Sequence, residues 1–91
     1  MPSYLIESYL PRSRSGELPA AVSRLRRATE SLAAEGAVVR HIRSTFVPSD
    51  ELCLHLFEAE DEATVGEASR RAAIEPARVV QAISEAPGGA T

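Results

Sequence analysis

The chain of 91 residues has one cysteine, no tryptophan and no lysine, and these absences exclude several classes of protein. A single cysteine, Cys53, cannot form an internal disulfide, so nothing in the sequence requires an oxidising compartment. All ten basic residues are arginines, and the net charge is −3. With no long basic run and only 4% aromatic residues, the chain lacks the features of a nucleic-acid-binding surface. Its excess of Arg and Ala is typical of a GC-rich bacterial genome.

Long apolar runs are also absent, and none approaches the length needed to span a membrane. The N-terminal stretch MPSYLIESYLP contains Glu7 and has no basic lead, which is not the pattern of a signal peptide. The sequence also contains no G-x-S-x-G motif and no glycine-rich phosphate loop. We therefore expect a cytoplasmic domain without a nucleotide-binding or hydrolase signature.

The composition, with 44% apolar and 25% charged residues, is typical of a globular protein. This length suits a single domain, which we predict to span residues 1–86. The final stretch, residues 87–91, is rich in Pro and Gly, and we predict it to be a disordered tail. A core this small buries only about 60–65% of the unfolded surface, so an exposed apolar sheet face would favour a partner.

Apolar periodicity predicts four strands and two helices. Pro19 fits the first turn of a helix, Gly36 its end, and Asp61 the N-cap of a second helix. The predicted strands cover residues 3–10, 37–47, 51–58 and 78–84. The resulting order, β-α-β-β-α-β, is that of the ferredoxin-like fold, an α+β fold in which both helices cover one face of a four-stranded antiparallel sheet.

Alternation along the strands predicts which side chains lie under the helices. The third predicted strand has an unbroken apolar face, Leu52, Leu54 and Leu56, which we expect to be covered together with Ile6, Ile42 and Phe46. The opposite residues would then form the uncovered face: Leu5, Glu7, Tyr9, Val39, His41, Arg43, Cys53, His55 and Phe57.

The predicted uncovered face holds the only residues that resemble a metal site: Glu7, His41, Cys53 and His55. Cys53 and His55 are two residues apart on one strand and therefore point the same way. Thiolate, imidazole and carboxylate ligands together suit zinc, nickel or copper better than magnesium or calcium. Simpler interpretations also stand, because a lone cysteine is often an inert apolar side chain and His55 would reach Glu7 by a cross-strand hydrogen bond.

A mixed face of this kind predicts a homodimer in which two sheets stack, as in dimeric α+β barrels. Two functions fit such a dimer. One is metal binding without catalysis. The other is a small enzyme of the monooxygenase or isomerase kind that binds an organic ligand over Tyr9 and Phe57, with His41, His55 or Glu7 moving protons. A purely structural or regulatory dimer is a third possibility.

Three segments carry a resemblance to a known family: YLIESYLPRS, VRHIRSTFVPSDELCLHLFEA and EASRRAAIEPARVVQAI. Together they resemble the bacterial family called domain of unknown function 4242, over almost the whole chain. The resemblance implies a small dimeric ferredoxin-like protein, and some members are described as nickel-binding. Glu7, His41 and Cys53 match the family pattern, whereas His55 stands where members often have an aromatic or small residue.

Overall fold

The computed structural model describes residues 1–76 and 78–85 and has the predicted ferredoxin-like architecture. Four antiparallel strands form one sheet in the order β2-β3-β1-β4, so the first and third strands are central, as predicted. The strands and helices are β1 (Ser3–Tyr9), α1 (Leu18–Ala34), β2 (Val39–Val47), β3 (Leu52–Ala59), α2 (Glu62–Arg71) and β4 (Arg78–Ala82). The predicted disordered tail lies outside the described residues.

Local sequence signals set most of the element boundaries. Pro19 lies in the first turn of α1, where its missing N–H costs no hydrogen bond. Gly36 follows α1 with φ of 96°, a left-handed conformation that glycine adopts without a steric penalty. Asp61 caps α2, because its Oδ1 accepts a 2.8 Å hydrogen bond from the backbone N–H of Thr64. These three predictions are confirmed.

The two helices and the sheet enclose one hydrophobic core. Phe57 and Ile6, both fully buried, face Leu25 of α1 and Val65 of α2, which are equally buried. Ala68 of α2 and Ala72, the residue that follows this helix, are both buried, and such small side chains allow the helix to pack close to the sheet. No helix in the described part of the chain is long and apolar enough to cross a membrane.

The prediction of which sheet face the helices cover was wrong for β3. Cys53, His55 and Phe57 are buried under the helices, whereas Leu52, Leu54 and Leu56 lie on the open face and are only partly buried. The register explains the arrangement, because Phe57 pairs with Tyr4 and His55 with Ile6, both buried residues of β1. The alternative would have placed Glu7, the partner of Leu54, in the core without water.

A β-bulge in β2 reverses the alternation along that strand. The register with β3 shifts between His41 and Arg43, with Ile42 as the extra residue. Consequently His41 and Val39, which we predicted to be uncovered, lie on the helix side, and so does Ser44 beyond the bulge. Ile42, predicted to be covered, is 36% exposed. Arg43 stays on the open face, opposite Leu56.

Candidate functional site

The four predicted metal ligands lie on two different faces of the sheet. Glu7 is on the open face, where Arg78 of β4 donates hydrogen bonds of 2.8 and 3.1 Å to its two carboxylate oxygens. Cys53 and His55 are buried under the helices, and His41 is partly buried on the same side. The sheet therefore separates Glu7 from the other three residues, and the predicted hydrogen bond between His55 and Glu7 does not form.

A chain of hydrogen bonds runs beneath the helices and joins both histidines through two serines. Nε2 of His41 lies 2.9 Å from Oγ of Ser44, and the same oxygen lies 2.6 Å from Nδ1 of His55. Nε2 of His55 then lies 3.4 Å from Oγ of Ser8. We call these four residues the His–Ser chain. It crosses three neighbouring strands, from β2 through β3 to β1.

Burial keeps both imidazole rings neutral near pH 7. Desolvation, the larger cause, and the nearby positive charge that His41 can carry together lower the pKa of His55 to about 4. Desolvation also lowers the pKa of His41, assisted by the charge of Arg26 and opposed by a hydrogen bond with the Arg43 backbone.

Cys53 lies beside the inner end of the His–Ser chain, directly opposite Ser8 in the β1–β3 pairing. Burial raises the pKa of the thiol, and a hydrogen bond with Ser8 offsets part of that effect. The neutral thiol is therefore the dominant form at neutral pH, whereas a metal site or a nucleophile requires the thiolate.

Two cavities open at the two ends of the His–Ser chain. The first, which we call the α1–β2 groove, has a volume of about 430 Å³ and includes His41 and Ser44 in its wall. The second cavity has a volume of about 330 Å³ and includes Ser8, Cys53 and His55. His41, the outer end of the His–Ser chain, thus faces the α1–β2 groove, and Ser8, the inner end, faces the second cavity.

The metal prediction can be tested against this geometry. Among residues 1–76 and 78–85, no three His, Cys, Asp or Glu side chains lie close enough together to hold a metal ion. As one set within one protomer, Glu7, His41, Cys53 and His55 do not fit a metal site. The other prediction that requires correction is the organic ligand bound over Tyr9 and Phe57, since Tyr9 is 73% exposed on the open face and Phe57 is fully buried under the helices.

Ser8 and Ser44, which complete the hydrogen-bonded chain, were missed as candidate residues. For Ser8 the signal was present in the sequence, because it shares a strand face with Tyr4 and Ile6, and a serine on a buried apolar face requires a hydrogen-bond partner. Ser44 carried the same signal, because it shares a face with Ile42 and Phe46, which we predicted to be covered, but its contact with His41 could not be predicted. Regular alternation places it opposite His41, and only the bulge brings the two together.

Comparisons with known proteins support the fold alone. No family model and no curated protein matches the chain. The SCO4226 protein from Streptomyces coelicolor A3(2), known from a crystal structure, superposes with a TM-score of 0.72. The match covers 92% of this chain and 99% of that one, with 13% sequence identity. At that identity the similarity establishes only a shared architecture. The chemistry of the site must be argued from this chain's own residues.

Proposed function

We propose that this protein binds a small organic anion in the α1–β2 groove and that His41 exchanges a proton with it. The observation that carries this proposal is that His41 both lines the groove and forms the outer end of the His–Ser chain. A reaction of the isomerase kind, which removes a proton from one atom of a ligand and returns it to another, needs such a group.

The lining of the groove favours an anion with an apolar body. Val22, Ala33 and Val39 provide apolar walls. Arg26, from α1, is close enough to His41 for its charge to lower the pKa of that ring. Arg26 forms no ion pair within the described residues, so its guanidinium is available to a carboxylate or phosphate. Glu30 is the acidic residue in the lining, and Arg26 faces the groove from α1; Arg40 and Arg43 line its edge at β2, where Arg40 is paired with Glu58.

Neutral His41 is the form that this function requires. An imidazole with a free lone pair accepts a proton, and the lowered pKa keeps that lone pair available at neutral pH. Arg26 has a second effect here, because a bound anion would neutralise its charge and make His41 more basic. Binding and proton acceptance would therefore reinforce each other at this site.

Titration of the ¹⁵N-labelled protein with benzoate tests the proposal, with benzyl alcohol as the uncharged control. We expect benzoate to shift the backbone amide signals of Val39, His41 and Ala33 more strongly than benzyl alcohol does. Arg26→Gln should weaken benzoate binding about two- to fivefold, the effect of losing one exposed ion pair. Arg27→Gln removes the same charge from the same helix outside the groove and should leave binding unchanged. Shifts that are absent at millimolar benzoate, or confined to the open face, would contradict the proposal.

Metal binding is the second candidate function, and one observation favours it. His41 Nε2 and His55 Nδ1 both approach Ser44 Oγ, at 2.9 and 2.6 Å, so two neutral imidazoles converge on one point. Neutral imidazole is the form that binds zinc, nickel or copper. A site on this side of the sheet would use His41, His55 and Cys53, and Glu7 would contribute only from another protomer.

Calorimetric titration with nickel and zinc tests the metal candidate. If these residues are ligands, the double variant Cys53→Ser with His55→Ala should lose at least about tenfold in affinity. Affinity should also fall as the pH is lowered, because protons compete for the thiolate and imidazole ligands. Glu62→Gln, at an exposed position of α2, is the control, and it should bind metal like the parent. Equal binding by the parent and the double variant would exclude this candidate.

For the quaternary structure we propose a homodimer formed through the open sheet face. Leu5, Leu52, Leu54 and Leu56 lie together there, all only partly buried in the protomer. The ion pair Arg40–Glu58 lies at one end of this apolar strip, and the Arg78–Glu7 pair lies beside Leu54 on the β1–β4 side. Apolar patches rimmed by charged residues mark interaction sites. Since Cys53 forms no internal disulfide, we place the dimer in the cytoplasm.

Light scattering of a single surface variant tests the dimer. The parent should have twice the mass of the 9.7 kDa chain at micromolar concentration. Leu54→Asp should be monomeric, because it would bury an unpaired charge between two apolar faces. Ala63→Asp adds the same charge at an exposed position of α2 and should stay dimeric. A parent protein with the mass of one chain would rule out the dimer.

A further inference from the structure

We infer that Ser44, His55 and Ser8 form a proton path that connects His41 to the second cavity. The inference rests on the proposed function, in which His41 exchanges a proton with a ligand in the α1–β2 groove. It adds three positioning residues and an exit for the proton.

In any one state of the His–Ser chain, all of its hydrogen bonds are donated in the same direction along the chain. The Ser44 hydroxyl has a single proton, so it donates to one of the two rings and accepts from the other. If His41 donates from Nε2, Ser44 donates to His55 Nδ1, and the neutral His55 ring then donates from Nε2 to Ser8. If His41 carries its proton on Nδ1, every one of these bonds is reversed. The chain therefore has two complete hydrogen-bonded states that differ by one proton shift at each bond.

The transfer of one proton converts the first state into the second. The ligand gives a proton to Nδ1 of His41, and Nε2–H of His41 passes its proton to Ser44 Oγ. The original Ser44 proton moves to Nδ1 of His55, Nε2–H of His55 gives its proton to Ser8, and the Ser8 proton leaves to water. Each group ends with the number of protons it had at the start.

Burial explains why the proton would need this exit. A ligand in the groove would cover the exposed edge of His41, and Phe57 packs against the ring with centroids 5.1 Å apart. His55 is only 1% exposed, so its direct contact with solvent is minimal. Ser8 and His55 line the second cavity, which is large enough for several water molecules. The far end of the path is therefore the nearest water once the groove is filled.

The neighbouring groups favour transfer without a trapped charge. The burial of His55, at 1% exposure, disfavours an imidazolium at the middle of the path, so the proton passes on as another leaves. Cys53, opposite Ser8, has a raised pKa and stays a neutral thiol rather than a competing proton acceptor. An isomerase-type reaction returns the proton to the ligand, which resets the chain to its first state.

The tautomers of the two rings test the path without any ligand or variant. In protein labelled with ¹⁵N-histidine at pH 7, imidazole nitrogen shifts report which nitrogen carries the proton. We expect His41 and His55 to be protonated at the same type of nitrogen, both on Nε2 or both on Nδ1. If one ring is protonated on Nε2 and the other on Nδ1, Ser44 Oγ faces either two N–H donors or two nitrogen acceptors. No single direction of proton transfer then exists, and the inference would be overturned.

Exchange of the His41 ring proton with water provides the second measurement, with benzoate filling the groove. Ser44→Ala should slow this exchange about tenfold or more, whereas Ser44→Thr, which keeps the hydroxyl, should resemble the parent. Thr45→Ala, a hydroxyl lost from the open face, is the control. Equal exchange in the parent and Ser44→Ala would overturn the path. If benzoate does not bind, the proposed function fails, and the tautomer measurement still decides whether the chain is directional.

Discussion

Replacing Phe57 by Ala should lower the free energy of unfolding by about 3–5 kcal/mol, the largest loss expected from one substitution in this chain. Phe57 is the largest of the fully buried side chains in the described part of the chain, and it projects from the central strand β3 into the core beneath the helices. The change removes its apolar contacts and leaves a cavity that the surrounding residues fill only in part. Urea denaturation followed by circular dichroism measures the loss.

Leu54→Ala on the same strand is the matched control. Leu54 lies on the open face and is partly exposed in the protomer, so its truncation should cost about 1 kcal/mol in a monomeric background such as Leu5→Asp. Phe57→Leu, which conserves most of the volume, keeps the comparison possible if the alanine variant does not fold. A large loss at Leu54 and a small one at Phe57 would mean that the helices cover the other face.

Lowering the pH from 6.5 to 4 should cost about 3 kcal/mol of stability through His55 alone. In the unfolded chain the pKa of this ring is near 6.5, and in the folded protein it is about 4. Above pH 6.5 the ring is neutral in both states and contributes no pH dependence. Between the two values the unfolded chain binds a proton that the folded protein excludes, so stability falls as the pH falls. Below pH 4 both states are protonated and the loss is complete.

His55→Gln separates this effect from the titration of carboxylates, since glutamine fills a similar space and carries no proton in this range. Between pH 7 and pH 5 the parent should lose about 2 kcal/mol more than the variant. His41, whose pKa is also lowered, acts in the same direction in both proteins. Denaturation midpoints measured at the two pH values provide the comparison. Equal losses in the parent and in His55→Gln would show that His55 is not buried as a neutral ring.

The amino-acid sequence by itself determined the elements, their order and most of their ends. Pro19, Gly36 and Asp61 act on the backbone within a few residues of their own position, so local chemistry was sufficient to place the helix boundaries. The need of Glu7 for a polar partner could also be predicted, because a carboxylate among apolar residues is costly without one, and Arg78 is that partner.

Only the tertiary structure decided which face of each strand meets the helices. Two apolar faces compete on β3, and the apolar character of Leu52, Leu54 and Leu56 did not show which face the core would take. Pairing with β1 decided it, since the face that holds Phe57 and His55 aligns with Tyr4 and Ile6, away from Glu7. That choice depends on residues about fifty positions apart, so it cannot be predicted from the alternation within one strand.

The candidate site forms only because of the single extra residue at the bulge in β2. Alternation places His41 and Ser44, three residues apart, on opposite faces of a regular strand. One extra residue at the bulge brings both to the helix side, where Ser44 joins His41 to His55. The sequence contained the histidines and the cysteine, but the bulge and the sheet register separated Glu7 from them and supplied two serines. Metal-ligating residue types are visible in a sequence, whereas their convergence is a property of register.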